Sequence, residues 1–169
     1  MPDIILDLGT DIKGESQIKN FEDKILCNSF SFGANQPIDV SRNKGRTTGT
    51  VNVSQVHLTR DYDSASLLIL NSLFLGKTFE TASIHFLYAA ADAEEAQVEL
   101  MTVTLTNAMI ADYQIGAAVG GGAMSEQITV GFTAIDCTYE VQEETAEKGS
   151  GKIEAKYDLL TGNASESSS

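Results

Sequence analysis

The chain is poor in cysteine, in basic residues and in long apolar runs, and each shortage excludes something. Cys27 and Cys137 are its two cysteines, far apart and outside any CxxC or Cys/His cluster. They suit reduced thiols packed as small hydrophobes in a protein made in the cytoplasm, and folding needs neither a disulfide nor a zinc ion. Lys and Arg total 11 against 24 Asp and Glu, a formal charge of −13, and the bases are scattered. No footprint for phosphate binding results, so nucleic acid is not an expected partner. The longest apolar stretch, Leu67 to Leu75, is interrupted by Asn71 and Ser72 and is too short to span a bilayer. No basic segment precedes an apolar one at the start. Membrane insertion is therefore not expected, and export would proceed without a cleaved signal peptide.

Catalytic and metal-binding sets are missing too. His57 and His85 fall on strand patterns with no Glu, Cys or third His at ligand spacing. Ser16 and Lys19 have Ser-x-x-Lys spacing, but they lie in a connection and lack the companion motifs. With 24 acids, carboxylate pairs arise by composition alone. The expectation is a protein that is not an enzyme and holds no cofactor or metal.

What the chain does have is alternation. At 169 residues with 42% hydrophobic content it suits one domain with a proper core. Ile4 to Leu8 starts a strand, a polar and solvated connection runs from Lys13 to Asp23, and Lys24 to Phe32 forms a second strand. In that second strand Leu26, Asn28, Phe30 and Phe32 share one face, while Ile25, Cys27, Ser29 and Ser31 share the other.

Several later strands change phase. Val51 and Val53 are odd but Val56 and Leu58 even; Val98 and Leu100 are even but Met101, Val103 and Leu105 odd; Ile128 to Ala134 run even, then Ile135 to Val141 odd. A flat strand keeps its parity, so bulges or bends are predicted near Ser54, Leu100 and Ala134. Three switches predict an all-β, mainly antiparallel fold: a closed barrel or two orthogonal sheets, with one α-helix.

That helix is predicted over Ser64 to Leu75, with Asp63 as N-cap and Gly76 just past the end. Its apolar residues spread around more than one face, so it needs cover on more than one side. Either its own domain buries it completely, or half of the cover comes from a neighbouring copy. Gly33 to Gly49 carries the bases Arg42, Lys44 and Arg46 with almost nothing to bury, and reads as a long loop, functional or merely solvated. Gly116 to Gly122 reads as a flexible hairpin tip without a phosphate-cradle ending. Gln142 to Gly151 reads as a polar connection before a last strand, Lys152 to Leu160. The domain is placed at residues 1–160, and 161–169 is expected to be a disordered tail.

One ordered set of segments resembles a known family. Ile12-Lys13-Gly14-Glu15-Ser16, Glu22 to Ile25 and Phe30-Ser31-Phe32-Gly33 come first. Leu58 to Leu67 with Gly76, Leu105 to Tyr113, and Ser125 to Tyr139 follow in family order. The set is similar to the haemolysin-coregulated protein (Hcp) family, the inner-tube proteins of bacterial type VI secretion systems, from about residue 3 to Leu160. The resemblance implies a structural subunit forming homohexameric rings that stack into a tube. Such a tube would be made in the bacterial cytoplasm and secreted, carrying effectors in its lumen and meeting sheath and tip spike proteins outside it.

It implies that Gly33 to Gly49, with Arg42, Lys44 and Arg46, reaches the next ring. Leu68, Ile69, Leu73 and Leu75 of the helix are candidates for the subunit interface. Ser29 and Ser31 are candidates for the lumen wall, because Phe30 and Phe32 on the opposite face need the core. The alternative for these serines is outer surface or barrel interior, a reading to which Ile25 and Cys27 on the same parity lend support. The alternative for the whole chain is a monomeric β-barrel that binds a small apolar ligand in its interior.

Overall fold

The computed structural model describes residues 2–41, 45–89, 97–120, 122–142 and 148–168. Their strands, in chain order, are β1 (Asp3–Asp7), β2 (Ile25–Cys27), β3 (Ser29–Ser31), β4 (Ala34–Asn35), β5 (Ile38–Ser41), β6 (Gly45–Thr48), β7 (Asn52–Val53) and β8 (Val56–Asp61). The helix α1 (Ser66–Phe74) comes next, then β9 (Thr78–Ala89), β10 (Gln97–Gly116), β11 (Ser125–Gly131), β12 (Ala134–Gln142), β13 (Lys148–Asp158) and β14 (Asn163–Ser168). Every ladder among them is antiparallel.

The organising element is β10, a 20-residue strand. Its first half lies between β9 and β12, and its second half pairs with β11. From there one path runs through β9 and β1 to β2, and another through β11 and β8 to β3. Only Asn28 separates β2 from β3, and its backbone N–H donates to Thr59 O at 2.7 Å. The sheet is thus not closed by its ladders alone; the chain itself completes the circuit at Asn28. Outside the circuit, β13 and β14 extend the sheet from β12.

The phase switches have local causes. Pairing of β10 with β9 slips between Glu99 and Met101, a bulge at the expected position near Leu100. Near Ser54 the switch marks a change of sheet: β7 pairs with β4, whereas β8 pairs with β3 and β11. Near Ala134 there is an interruption at Phe132 and Thr133 without a slip, since Met109↔Gly131 and Thr106↔Ala134 keep one register across it. Opposite the interruption Asn107 takes φ 49°, a left-handed conformation that Asn tolerates better than most side chains. Its Nδ2 donates to Thr133 Oγ1 at 3.2 Å, and Thr133 N donates to Thr106 O at 2.9 Å. The buried positions of β10 accordingly change from Val103 and Leu105 to Ala108 and Ile110. A second slip, between Ile110 and Asp112, was not legible in the sequence.

The core joins Leu6, Ile25, Leu58, Ile69, Ile84, Leu105 and Ile128 from seven elements. Each such side chain contributes roughly 1.5–3 kcal/mol by leaving water.

Several expectations are corrected. The connection from Lys13 to Asp23 is only partly solvated: Ser16 is buried, as is Ile12 just before it. The described residues of the stretch Gly33 to Gly49 form a β-ribbon rather than a structureless loop, because β5 pairs with β6 and β4 with β7. Its base is clasped where Gly33 N donates to Ser54 Oγ at 2.8 Å and Ser54 N donates to Gly33 O at 2.7 Å. Asn163–Ser168, expected in a disordered tail, is the edge strand β14, whose backbone groups pair with β13.

The helix spans Ser66–Phe74, shorter than Ser64 to Leu75. The N-cap is Ala65, with no side-chain cap bond, and not Asp63; Asp63 instead braces the turn before it, its Oδ1 accepting from Ala65 N at 2.8 Å while its own N–H donates to Ser66 Oγ at 3.0 Å. At the exit Gly76 takes φ +59°. There Gly76 N donates to Leu73 O at 3.0 Å and Lys77 N to Ser72 O at 2.9 Å, a Schellman closure.

Candidate functional site

Three surfaces stand out. The first is a polar face on β3, β8, β11 and the second half of β10. Register places Ser29 beside Thr59, then Gln127, then Gln114; the next row is Ser31, His57, Thr129 and Asp112. Neighbours in these rows satisfy one another: Ser29 Oγ lies 2.6 Å from Thr59 Oγ1, and His57 Nδ1 lies 3.0 Å from Thr129 Oγ1. Asn28 Nδ2 donates to Asp61 Oδ1 at 3.1 Å. The alternate residues, Phe30, Leu58, Ile128 and Tyr113, turn to the core. Such a wall is polar, lined by hydroxyls and amides together with the His57 ring and the carboxylates of Asp61 and Asp112, with Thr129 itself buried.

Ser29 and Ser31 are exposed on this wall, opposite the half-buried Phe30. In β2, by contrast, Ile25 and Cys27 are buried and Leu26 is exposed. The strand read from Lys24 to Phe32 changes face at Asn28, so parity does not carry from Ile25 and Cys27 to the serines.

Behind the wall sits a buried charged cluster that sequence reasoning missed. The Arg60 side chain is 1% exposed and forms ion pairs with Asp63 and with Glu126, its Nη1 lying 3.1 Å from Glu126 Oε1. Tyr113 donates its hydroxyl to Glu126 Oε2. Burial, and then that bond to Glu126, push the Tyr113 hydroxyl well above the usual phenol range. Burial likewise pushes the Cys27 thiol up to about 12, against the pull of Arg60, so this cysteine is an inert packing residue. The missed signal was parity: Arg60 follows Val56 and Leu58, and Glu126 precedes Ile128 and Val130, on core-facing positions.

The second surface is α1. Leu68 is 45% exposed and Leu75 72% exposed, whereas Leu73 is half-buried against the core. Ile69, expected at the subunit interface, is 0% exposed; it packs wholly inside its own chain and has no surface to give a partner. Leu67 and Phe74 are exposed instead and were not singled out. In a helix apolar all round, pattern alone does not say which side meets the sheet.

The third surface is the ribbon. Ile38 and Val40 are exposed, and Arg46, opposite Val40, is exposed as well. Arg42 and Lys44 lie outside the described residues. Among the described residues no group of three or more His, Cys, Asp or Glu is placed to hold a metal ion, and no helix is long and apolar enough to cross a membrane.

These surfaces can be set beside known proteins. The family model described as "Type VI secretion system effector, Hcp" matches residues 6–139. Protein hcp1 of Pseudomonas aeruginosa is 24% identical over 157 residues, covering 93% of this chain and 94% of that protein. A solved structure titled as that of a type six secretion system protein superposes with a TM-score of 0.88 at 23% identity, covering 98% of this chain and 100% of the other. The crystal structure of Hcp1 from Salmonella typhimurium gives a TM-score of 0.74 at 22% identity, covering 97% and 99%. The match to the family model spans most of the chain and includes the polar wall, the ribbon and the helix: the chain belongs to the Hcp family and is a tube protein of a type VI secretion system.

Proposed function

We propose that six copies of this chain close into a ring through the exposed apolar side chains of α1, that rings stack into a tube through the β5–β6 ribbon, and that the polar wall lines the bore. The observation that carries this reading is the pairing of two opposite surfaces in one small chain. One is a four-strand wall of hydroxyls and amides; the other is a helix that leaves Leu67, Leu68, Phe74 and Leu75 in water. An isolated subunit has no use for that exposed apolar set, and a homomeric contact covers it. Closed cyclic contacts make a ring, and an open head-to-tail contact between rings makes a tube. The tube passes out of the cell with effectors in its bore and sheath and tip spike proteins around and ahead of it.

Native mass spectrometry tests the ring directly. A species near six times the 18.1 kDa of one chain is expected. A strict monomer at high concentration would overturn the ring and favour a monomeric ligand-binding barrel.

Stacking is tested at the ribbon. Replacing Arg42, Lys44 and Arg46 together by Glu is expected to leave hexamers intact and to abolish secretion. Exposed ion pairs contribute only about 0–1 kcal/mol each, so single replacements should give graded losses that deepen with salt. Normal secretion by the triple variant would remove the ribbon from stacking.

The wall is tested at Ser31. Small hydroxyls leave a wide bore to which cargo binds loosely and from which it leaves again. Ser31→Gln is expected to lower retention of a lumenal effector in the purified ring without changing hexamer mass. Unchanged effector stability would take this wall out of the bore.

A further inference from the structure

We infer that Arg60 is a positioning residue for subunit contact: its buried guanidinium clamps the entry of α1 onto β8 and β11 and so fixes the direction in which the helix presents its apolar side. The inference rests on the reading of α1 as the subunit contact. Arg60 lies on β8 and reaches two carboxylates from different elements, Asp63 at the helix entry and Glu126 on β11. Each carboxylate has a second partner. Asp63 Oδ1 also accepts from Ala65 N at 2.8 Å, and Glu126 Oε2 accepts from the Tyr113 hydroxyl. The backbone adds to this: Tyr62 N donates to Met124 O at 2.9 Å, and Ser64 N donates to Glu15 Oε1 at 3.2 Å.

A buried ion set is a poor way to gain stability, because apolar residues of similar volume often serve as well. What it adds is direction. Arg60 Nη1 and Glu126 Oε1 lie 3.1 Å apart without forming a hydrogen bond, so the hold is one of charge: two carboxylates drawn to one buried guanidinium resist being moved apart. Ile69 and Leu73 pack the helix against the core, but apolar packing alone tolerates rotation of the helix about its axis. The clamp removes that freedom at the end of the helix nearest Leu67 and Leu68.

The test uses Arg60→Met combined with Glu126→Leu, which keeps the space between the two strands filled and leaves the Asp63 carboxylate and the Tyr113 hydroxyl without these partners. Ring dissociation is followed by sedimentation across concentration. Amide exchange is read in a Leu68→Asp background with and without the double change. The clamp predicts at least a tenfold rise in the dissociation constant. It also predicts faster exchange in α1 while β8 and β11 keep their protection. An unchanged dissociation constant, or exchange rising equally in all strands, would overturn it. Should the double variant not fold, Asp63→Asn, which keeps the capping oxygen and removes the charge, is read by the same two measurements and the same criteria. If Leu68→Asp leaves hexamers intact, the contact reading itself falls. If Leu68→Asp gives monomers and the clamp variants still dissociate like the parent, only the clamp falls.

Discussion

Leu68→Asp should turn the ring into folded monomers. Leu68 is 45% exposed on α1, so the free subunit hydrates the new carboxylate and loses little, within about 0.5 kcal/mol for a surface change. In the proposed ring the same carboxylate would be buried against apolar neighbours, at the cost of its hydration. A disrupted hot-spot contact of this kind costs about 3 kcal/mol, or about a hundredfold in affinity for each contact. A ring contains that contact once per subunit, so the effect compounds and closed rings should vanish at micromolar protein. Sedimentation velocity should show only monomer, with a thermal midpoint close to that of unassembled parent subunits. Persistence of hexamers would place the interface elsewhere; loss of the fold would mean that Leu68 is a core residue.

Gly14→Ala acts on the fold instead. A Cβ at this position would overlap the Lys24 carbonyl oxygen and lie 2.8 Å from the Ile25 Cα, backbone atoms that have no rotamer to yield with. Gly14 N also donates to Asp23 O at 2.8 Å, which holds the two segments at this spacing. Pushing them apart strains β2, where Ile25 is buried in the core and pairs with Leu6. Overpacking against rigid neighbours costs about 3 kcal/mol, and at 2–4 °C per kcal/mol for a chain of this size the thermal midpoint should fall by about 10 °C. Gly122→Ala is the control, because its Cβ would meet nothing within 4 Å and the fold should not register it. A Gly14→Ala protein that melts with the parent would show that the segment shifts freely.

Gly14 stands in the first segment of the family resemblance, and why only Gly fits there is a matter of distances that no pattern carries. Other features were legible where one physical demand dominated. The bulge near Leu100 follows from apolar residues changing parity over a short span. The kink at Asn107 left no such trace, because Met109 and Ile110 are both apolar and the residues before them are small. The ribbon's ladders bury no residue, so they need no alternation to exist. The same holds for β14, whose Ser-rich composition reads as a free tail although its backbone finds partners in β13. Arg60 and Glu126 were hidden by the ordinary rule that charges face water, which fails where opposite charges are buried together.

One consequence follows from the single register that β10 keeps with β11 and β12 on both sides of Thr133. Because side chains alternate, adding or deleting one residue in either partner would exchange the core row for the wall row as far as the next bulge, such as the one between Ile110 and Asp112. The polar wall and the hydrophobic interior are therefore locked to one another in length. An added or deleted residue along these strands has to be absorbed by a bulge, as happens between Ile110 and Asp112.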